Sequence, residues 1–168
     1  RLFAESGLPF FVSSSFSKSF SLYGERVGAL SIVTASKDEA GRVLSQAKRV
    51  IRTNYSNPPT HGATVVASVL NSPELRALWE QELGEMRERI RDMRLAMVEQ
   101  LAALGAKRDF SFVARQRGMF SYSGLTAEQV ERLKTEFGIY AVGTGRICVA
   151  ALNRNNLDAV TKAIVQVL

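Results

Sequence analysis

The chain has 168 residues, 46% of them hydrophobic, which is enough for a substantial buried core. Its formal net charge is +6, but the 22 basic residues are spread along the chain among 16 acidic ones. That distribution argues against a nucleic-acid binder, whose basic residues gather on one face. A single cysteine, Cys148, excludes an intrachain disulfide, and a single histidine, His61, argues against His-rich metal sites and Ser-His-Asp catalysis.

The beginning of the chain predicts a fragment and two strands. Residues 1–5 lack an initial Met and have the pattern of the middle of a helix, so we expect a piece of a longer protein. Residues 9–12 are a short apolar run, and residues 27–33 are a second strand candidate in which Gly28 leaves space for close packing.

Capping residues and prolines predict the helices that follow. Ser36 and Glu39 have capping-box spacing, so a helix should begin there and end before the Asn-Pro-Pro sequence at residues 57–59. Residues 60–70 fit either a helix or a strand, because periodicity does not decide so short an apolar run.

One long helix is predicted over residues 73–104. Ser72 is a suitable N-cap, Pro73 fits the first turn and Gly105 supplies a C-terminal stop. Apolar residues recur every three or four positions between them, and such a helix measures about 45 Å at 1.5 Å per residue. A helix of this length often bridges two domains. No apolar run is long enough to cross a membrane.

The last third predicts alternating strands and helices. Thr126 to Gln129 is a second capping box, and Asn156 can cap a final helix. Strands are predicted at residues 110–113, 119–122 and 147–151. The alternation indicates an α/β or α+β architecture.

The most informative stretch for chemistry is Ser13 to Gly28. Lys18 lies among hydroxyls and aromatic rings, eight residues before Arg26. A lysine that forms a Schiff base must spend time neutral, which desolvation or a nearby cation favours. A phosphate needs hydroxyl donors and a guanidinium, and Ser15, Ser17 and Arg26 offer both. The alternative is a flexible Ser-rich loop with solvated Lys18 and Arg26.

Four segments in the same order carry a family resemblance. Ser-Phe-Ser-Lys followed by Leu-Tyr-Gly-Glu-Arg-Val-Gly, at residues 15–28, is similar to the cofactor-lysine segment of class I aminotransferases that act on aspartate and aromatic amino acids. The further segments are Ile-Arg-Thr-Asn-Tyr-Ser-Asn-Pro-Pro-Thr-His-Gly (51–62), Arg-Gly-Met-Phe-Ser-Tyr-Ser-Gly-Leu (117–125) and Gly-Arg-Ile-Cys-Val-Ala-Ala-Leu-Asn (145–153). The resemblance covers essentially the whole chain, as the C-terminal part of the family's length.

The resemblance implies roles at the cofactor. Lys18 would form the Schiff base with pyridoxal 5'-phosphate and, once displaced by substrate, would move the proton between the substrate α-carbon and the cofactor. Ser15, Ser17 and Arg26 would hold the cofactor phosphate. His61 is expected to be structural.

The resemblance also implies roles at the substrate. Arg146 would bind the α-carboxylate through a two-pronged contact. Arg52 would reach across a dimer interface toward the substrate side chain, with Ser56 close by. Phe120 would line the pocket. From the residues alone, Arg146 could be a structural arginine, Arg52 a solvated cation of a last helical turn and Phe120 a core aromatic.

The fold implied is that of fold type I enzymes dependent on pyridoxal phosphate. Residues 1–85 would end the large α/β cofactor domain and residues 86–168 would form the small α+β domain. The full protein would be a cytoplasmic homodimer, without metal, membrane or nucleic-acid partners. It would move an amino group from aromatic, and also dicarboxylic, L-amino acids to a 2-oxo acid. Cofactor residues of the family that are absent here should leave the fragment inactive.

Other functions remain open at this stage. The protein could be an aspartate aminotransferase, or another enzyme of this fold that catalyses elimination or decarboxylation with the same Lys18 and Arg26. A basic binding module without catalysis is a further alternative, and its affinity for nucleic acid would fall with salt.

Overall fold

The computed structural model describes residues 2–168, which form two compact units divided between Glu80 and Gln81. The first unit contains α1 (Leu2–Glu5), β1 (Phe10–Ser15), β2 (Gly28–Val33), α2 (Lys37–Asn54), α3 (His61–Asn71) and the start of α4 (Pro73–Ala103). The second contains the rest of α4, α5 (Ser111–Arg115), β3 (Phe120–Tyr122), α6 (Ala127–Phe137), β4 (Arg146–Cys148), a 3-10 helix (Val149–Ala151) and α7 (Leu157–Val167). No helix over residues 2–168 is long and apolar enough to cross a membrane.

The two strands predicted near the beginning of the chain are confirmed, and they form an antiparallel pair. Phe10 pairs with Val33 at one end, and Ser15 pairs with Gly28 at the other. A Cβ atom added at Gly28 would lie 2.6 Å from the carbonyl oxygen of Ser14, so any larger residue would push the strands apart. β1 therefore includes the first serines of the Ser-rich stretch, which are part of the ladder and not of a flexible loop.

The predicted helix starts are largely confirmed. Ser36 caps α2 by accepting a hydrogen bond from the Glu39 amide at 3.2 Å, but the Glu39 carboxylate binds the amide of Ala35, one residue before the reciprocal partner. Thr126 and Gln129 form the complete capping box at α6. Of the ambiguous residues 60–70, Thr60 is the N-cap of α3 and the others lie in the helix.

The long helix is present as α4, and its ends follow the predicted signals. The Ser72 hydroxyl accepts a hydrogen bond from the Leu75 amide at 3.3 Å. At the other end Gly105 has a φ of +72°, which glycine adopts at little cost and which lets the Ala106 amide bind the carbonyl of Leu101 at 3.0 Å. The division between the units falls inside this helix. The predicted identity of residues 1–85 and 86–168 as large and small domains stays a prediction.

The second unit is built around a short antiparallel pair, the second part of α4 and the helices α5, α6 and α7. In the pair, Phe120 lies opposite Cys148 and Tyr122 lies opposite Arg146. Apolar side chains from the second half of α4, from α5 to α7 and from the connecting segments form one core, which includes Met97, Leu101, Phe110, Val113, Leu125, Leu133, Val149 and Ile164. β3 and β4 therefore lie against a packed core, which fixes the positions of the side chains they carry.

Three local predictions in this unit need correction. The strand predicted at residues 110–113 is wrong, because α5 begins at Ser111. The Asp109 carboxylate accepts hydrogen bonds from the Ser111 amide at 2.8 Å and from its hydroxyl at 2.7 Å, and these bonds turn the chain and lower the pKa of Asp109. The strand predicted at residues 147–151 ends at Cys148 and continues as a 3-10 helix. Asn156 precedes α7 as predicted, but its Oδ1 accepts from the Asn153 amide and does not cap the helix.

Arg94 is the buried charge of this core, with only 3% of its surface exposed. Its guanidinium donates to the carbonyl oxygens of Gly118, at 2.6 Å, and Val113, at 3.4 Å, and to the hydroxyl of Ser121. Burial, and secondly the charge of Arg117, lowers the pKa of Arg94. A buried guanidinium bound by neutral acceptors ties α4 to the segment that leads into β3.

Replacing Arg94 by methionine should destabilise the protein strongly. The variant keeps much of the side-chain volume but removes the guanidinium that donates to the buried Ser121 hydroxyl and to the carbonyls of Gly118 and Val113. We therefore expect a loss of about 3 kcal/mol in the free energy of unfolding. Urea unfolding followed by circular dichroism measures it. The control is Arg91→Met on the same helix, which removes an exposed ion pair to Glu88 and should cost about 0.5 kcal/mol or less. Equal losses in the two variants would contradict the role of Arg94.

Candidate active site

Ser15 and Ser17 lie side by side where β1 ends. The Ser15 hydroxyl is 3.1 Å from the Ser17 hydroxyl and accepts a hydrogen bond from the Ser17 amide at 3.2 Å. The ladder continues one step beyond the strands, because the Phe16 amide donates to the carbonyl of Val27 at 3.2 Å. Ser17 is 7% exposed. Two hydroxyl groups, one of them buried, are thus held together at the closed end of the strand pair.

Lys18 and Arg26 lie on opposite arms of the loop that this strand pair closes, and both approach Tyr23. The Lys18 Nζ is 4.8 Å from the centre of the Tyr23 ring, and the Arg26 Cζ is 5.5 Å from it. Arg26 also donates to the carbonyl of Tyr23 at 2.8 Å and has a left-handed backbone, with φ +53°. The aromatic face attracts both cations, which would otherwise only repel each other.

The arm that carries Arg26 is held by the start of α3. His61 Nδ1 is 2.9 Å from a carboxylate oxygen of Glu25, the residue before Arg26. Gly62 is buried, and a Cβ atom there would come within 3.0 Å of Val27 and 3.1 Å of Glu25. His61 was expected to be structural, and its contact with Glu25 gives it a position next to the candidate site.

Arg52 and Ser56 form a second pair in the same unit. Arg52 occupies the last turn of α2, and its guanidinium donates to the hydroxyl of Ser56. Ser56 has a φ of +67°, which turns its side chain back toward the helix end. The structure therefore brings these two predicted residues together. Among the described residues no hydrogen bond or ion pair joins them to Lys18 or Arg26.

Arg146 and Phe120 form the third group, on β4 and β3 of the second unit. The Arg146 Cζ lies 4.9 Å from the centre of the Phe120 ring. Both residues border an open pocket of about 180 Å³, together with Tyr140, Ala141, Val142, Ile147 and Cys148. This pocket combines one guanidinium with an apolar wall, which suits a small molecule bearing a carboxylate.

A close backbone approach sets the position of Arg146. Gly145, with φ +82°, has no room for a side chain, since a Cβ atom would lie 2.6 Å from the carbonyl oxygen of Leu125. Its own carbonyl accepts hydrogen bonds from the buried Ser123, from the amide at 2.9 Å and from the hydroxyl at 2.6 Å. The backbone just before Arg146 is thus held in place by Leu125 and Ser123.

The chemistry of these groups fits an anionic cofactor that carries a carbonyl. One loop presents a primary amine, two hydroxyl donors and a guanidinium, and this set matches the needs of a phosphate and of an amine-linked carbonyl. Over residues 2–168 there is no cluster of His, Cys, Asp and Glu side chains able to hold a metal ion. The residues that fix the loop, Tyr23, Glu25 and His61, were not singled out from sequence as site residues.

The chain matches the sequence profile described as aminotransferase class I and II over residues 1–164. It is 89% identical over 168 residues to an aspartate aminotransferase of Pseudomonas aeruginosa and 52% identical to an aromatic-amino-acid aminotransferase of Escherichia coli. Each alignment covers all of this chain and 42% of the relative. A crystal structure of an aromatic-amino-acid aminotransferase from Burkholderia pseudomallei, covalently bound to pyridoxal phosphate, matches with a TM-score of 0.93 and 75% identity. That match covers all of this chain and 42% of the other.

The chain belongs to the class I and II aminotransferase family, as the motifs predicted. Its α/β fold is that of the fold type I aminotransferases. The chain spans 42% of the length of these curated relatives. These length shares do not support the prediction that the chain is the C-terminal part of the family's length.

Proposed function

We propose that the full-length protein is an aminotransferase that uses pyridoxal 5'-phosphate bound to Lys18. The observation that carries this proposal is the loop in which Lys18 directly follows the paired Ser15 and Ser17 hydroxyls and in which Lys18 and Arg26 both contact the Tyr23 ring. The names of the relatives support it, and so does the covalently bound pyridoxal phosphate of the Burkholderia pseudomallei enzyme.

Lys18 has two tasks in this proposal. Its Nζ would hold the cofactor through the carbonyl of that group. As a free amine it would accept the proton from the substrate α-carbon and return it, acting as a general base and then as a general acid. Bound pyridoxal phosphate supplies the electron sink that makes the α-proton acidic. Ser15, Ser17 and Arg26 would hold the phosphate through hydroxyl and guanidinium donors.

The remaining predicted residues bind the substrate. Arg146 takes the α-carboxylate in a bidentate contact, and Phe120 beside it offers an apolar wall for the rest of the molecule. Arg52, hydrogen bonded to Ser56, supplies a cation for the distal carboxylate of a dicarboxylic substrate. Charge-assisted contacts of this kind orient the substrate as well as bind it.

The substrates we propose are aromatic and dicarboxylic L-amino acids, with a 2-oxo acid as acceptor. Segments 15–26 and 146–153 resemble the aromatic branch, and the 75% identical Burkholderia pseudomallei protein bears that name. An aspartate aminotransferase is the second candidate, because the 89% identical Pseudomonas aeruginosa relative is named so. We further propose that the protein acts as a cytoplasmic homodimer, and that residues 1–168 alone are inactive.

The first test is covalent labelling of Lys18. Borohydride reduction of the full-length protein in the presence of pyridoxal phosphate, followed by peptide mapping, should place the pyridoxyl group on Lys18, because this amine belongs to the loop that also carries the paired serine hydroxyls and Arg26. Lys18→Ala should lose the label and Lys37→Ala should keep it. A label on Lys37 or Lys48 in the parent would end the assignment.

The second test removes the carboxylate partner. Arg146→Leu should lower kcat/KM by about 100-fold or more, because a desolvated carboxylate loses a charge-assisted bidentate contact. Arg146→Lys should recover little activity, since an ammonium lacks the planar fork. Steady-state kinetics measure both. The control Arg154→Leu changes an exposed arginine outside the pocket and should stay within a few-fold of the parent. A similar result for Arg146→Leu would contradict its role.

The third test separates the two substrate classes. Arg52→Leu should lower kcat/KM for aspartate by about 100-fold while changing that for phenylalanine only a few-fold, because only aspartate then leaves a carboxylate without a partner. Arg49→Leu, an exposed arginine on the same helix, is the matched control. A parent that turns over aspartate but neither phenylalanine nor tyrosine would support the aspartate aminotransferase instead.

A further inference from the structure

Trp79 contacts the turn that carries Lys18 from a distance of 60 residues along the chain. Its indole Nε1 donates a hydrogen bond of 2.7 Å to the carbonyl oxygen of Ser19. Its ring stacks on Phe20, with ring centres 4.6 Å apart and an interplanar angle of 20°. Trp79 therefore binds the two residues that directly follow Lys18, one through a polar contact and the other through an aromatic contact.

The turn around Lys18 has few other fixed points. The Phe20 amide donates to the carbonyl of Phe16 at 3.2 Å, and the Ser21 amide donates to the carbonyl of Lys18 at 3.3 Å. Phe16 and Phe20 meet edge to face at 5.5 Å. The Lys18 side chain itself is exposed, and over residues 2–168 it forms no salt bridge. The position of its backbone thus depends on how the turn is anchored.

Tryptophan is the residue type that such an anchor needs. It joins a large flat face, which stacks on Phe20, to an N–H donor at the edge of the same rigid ring. Phenylalanine can stack but has no donor, and leucine can do neither. The hydrogen bond of Trp79 restricts the position of the Ser19 carbonyl, and its stacking contact restricts the position of the Phe20 ring.

We infer that Trp79 is a positioning residue for Lys18. It acts through Ser19 and Phe20, and it fixes where the amine stands relative to the Ser15 and Ser17 hydroxyls. If the turn could move freely, the Lys18 amine would no longer be held where a bound cofactor carbonyl requires it. The inference rests on the proposed function where it concerns the cofactor, and on the contacts alone where it concerns the position of Lys18.

The experiment compares three variants of the full-length protein. Trp79→Phe keeps the aromatic face and removes the N–H donor, and Trp79→Leu removes both. Leu78→Ala is the matched control, because Leu78 is an exposed neighbour on the same helix, 52% accessible. The dissociation constant of pyridoxal phosphate and the visible circular dichroism of the bound cofactor report on the position of Lys18. Thermal unfolding reports separately on stability.

We expect Trp79→Phe to raise the dissociation constant about five-fold, the effect of losing one net hydrogen bond, and to alter the visible circular dichroism. Trp79→Leu should show a larger change of the same kind, and Leu78→Ala should match the parent. A Trp79→Phe protein that unfolds at a lower temperature yet keeps the parent's dissociation constant and spectrum would overturn the inference. This variant decides the question even if Trp79→Leu does not fold.

A second readout needs no bound cofactor. Trace acetylation of the cofactor-free protein, followed by peptide mapping, gives the reactivity of Lys18 relative to Lys37, which lies at the start of α2. Trp79→Phe should change this ratio at least about two-fold, and Leu78→Ala should not. An unchanged ratio would also overturn the inference. Failure of the proposed function would give a different result: borohydride reduction would not place the pyridoxyl group on Lys18 of the parent protein.

Discussion

The close approach of β1 and β2 at Ser14 and Gly28 is the constraint on which the candidate cofactor loop depends. A Cβ atom at position 28 would meet the Ser14 carbonyl oxygen at 2.6 Å, so only glycine lets the ladder close there. Because the ladder closes, the segment between the strands must turn back on itself within a short distance. Ser15, Lys18 and Arg26 are thereby carried on one closed loop, in which Lys18 and Arg26 both contact the Tyr23 ring.

The second unit has a similar close backbone contact at a glycine, next to Arg146. A Cβ atom at Gly145 would lie 2.6 Å from the Leu125 carbonyl oxygen, and the buried Ser123 binds the Gly145 carbonyl through both its amide and its hydroxyl. In each unit a glycine permits a close backbone contact beside a cation that is proposed to bind an anion. A cationic side chain on a rigid backbone keeps a defined orientation, and this orientation gives an anion-binding site its selectivity.

Contacts from distant segments then limit the motion of the cofactor loop. His61 and Gly62 hold the arm that contains Arg26, and Trp79 holds the turn that contains Lys18. Arg94 has a comparable function in the second unit, where it ties α4 to the segment preceding Phe120. The proposed amine and guanidinium groups of Lys18, Arg26 and Arg146 are exposed, whereas Trp79 is half-buried and Gly62 and Arg94 are buried. Rigid support behind an accessible amine or guanidinium is what a preorganised site requires.

The sequence by itself determined the features that depend on neighbouring residues. Capping residues, Pro73 and Gly105 marked α2, α4 and α6 correctly, since each signal acts within one turn of helix. Motifs around Lys18 and Arg146 identified the family and the candidate residues. The strand expected at residues 110–113 was wrong, because a short apolar run has no decisive period and the Asp109 carboxylate turned the chain into α5.

Only the tertiary structure decided which residues position that chemistry. Trp79 had the pattern of an ordinary apolar residue of α4, and no partner of His61 or of Arg94 was predicted from the sequence. Their partners lie 60, 36 and up to 27 residues away along the chain. Local periodicity carries no information about such pairs, because the folded path of the backbone alone brings the donor and the acceptor within hydrogen-bonding distance.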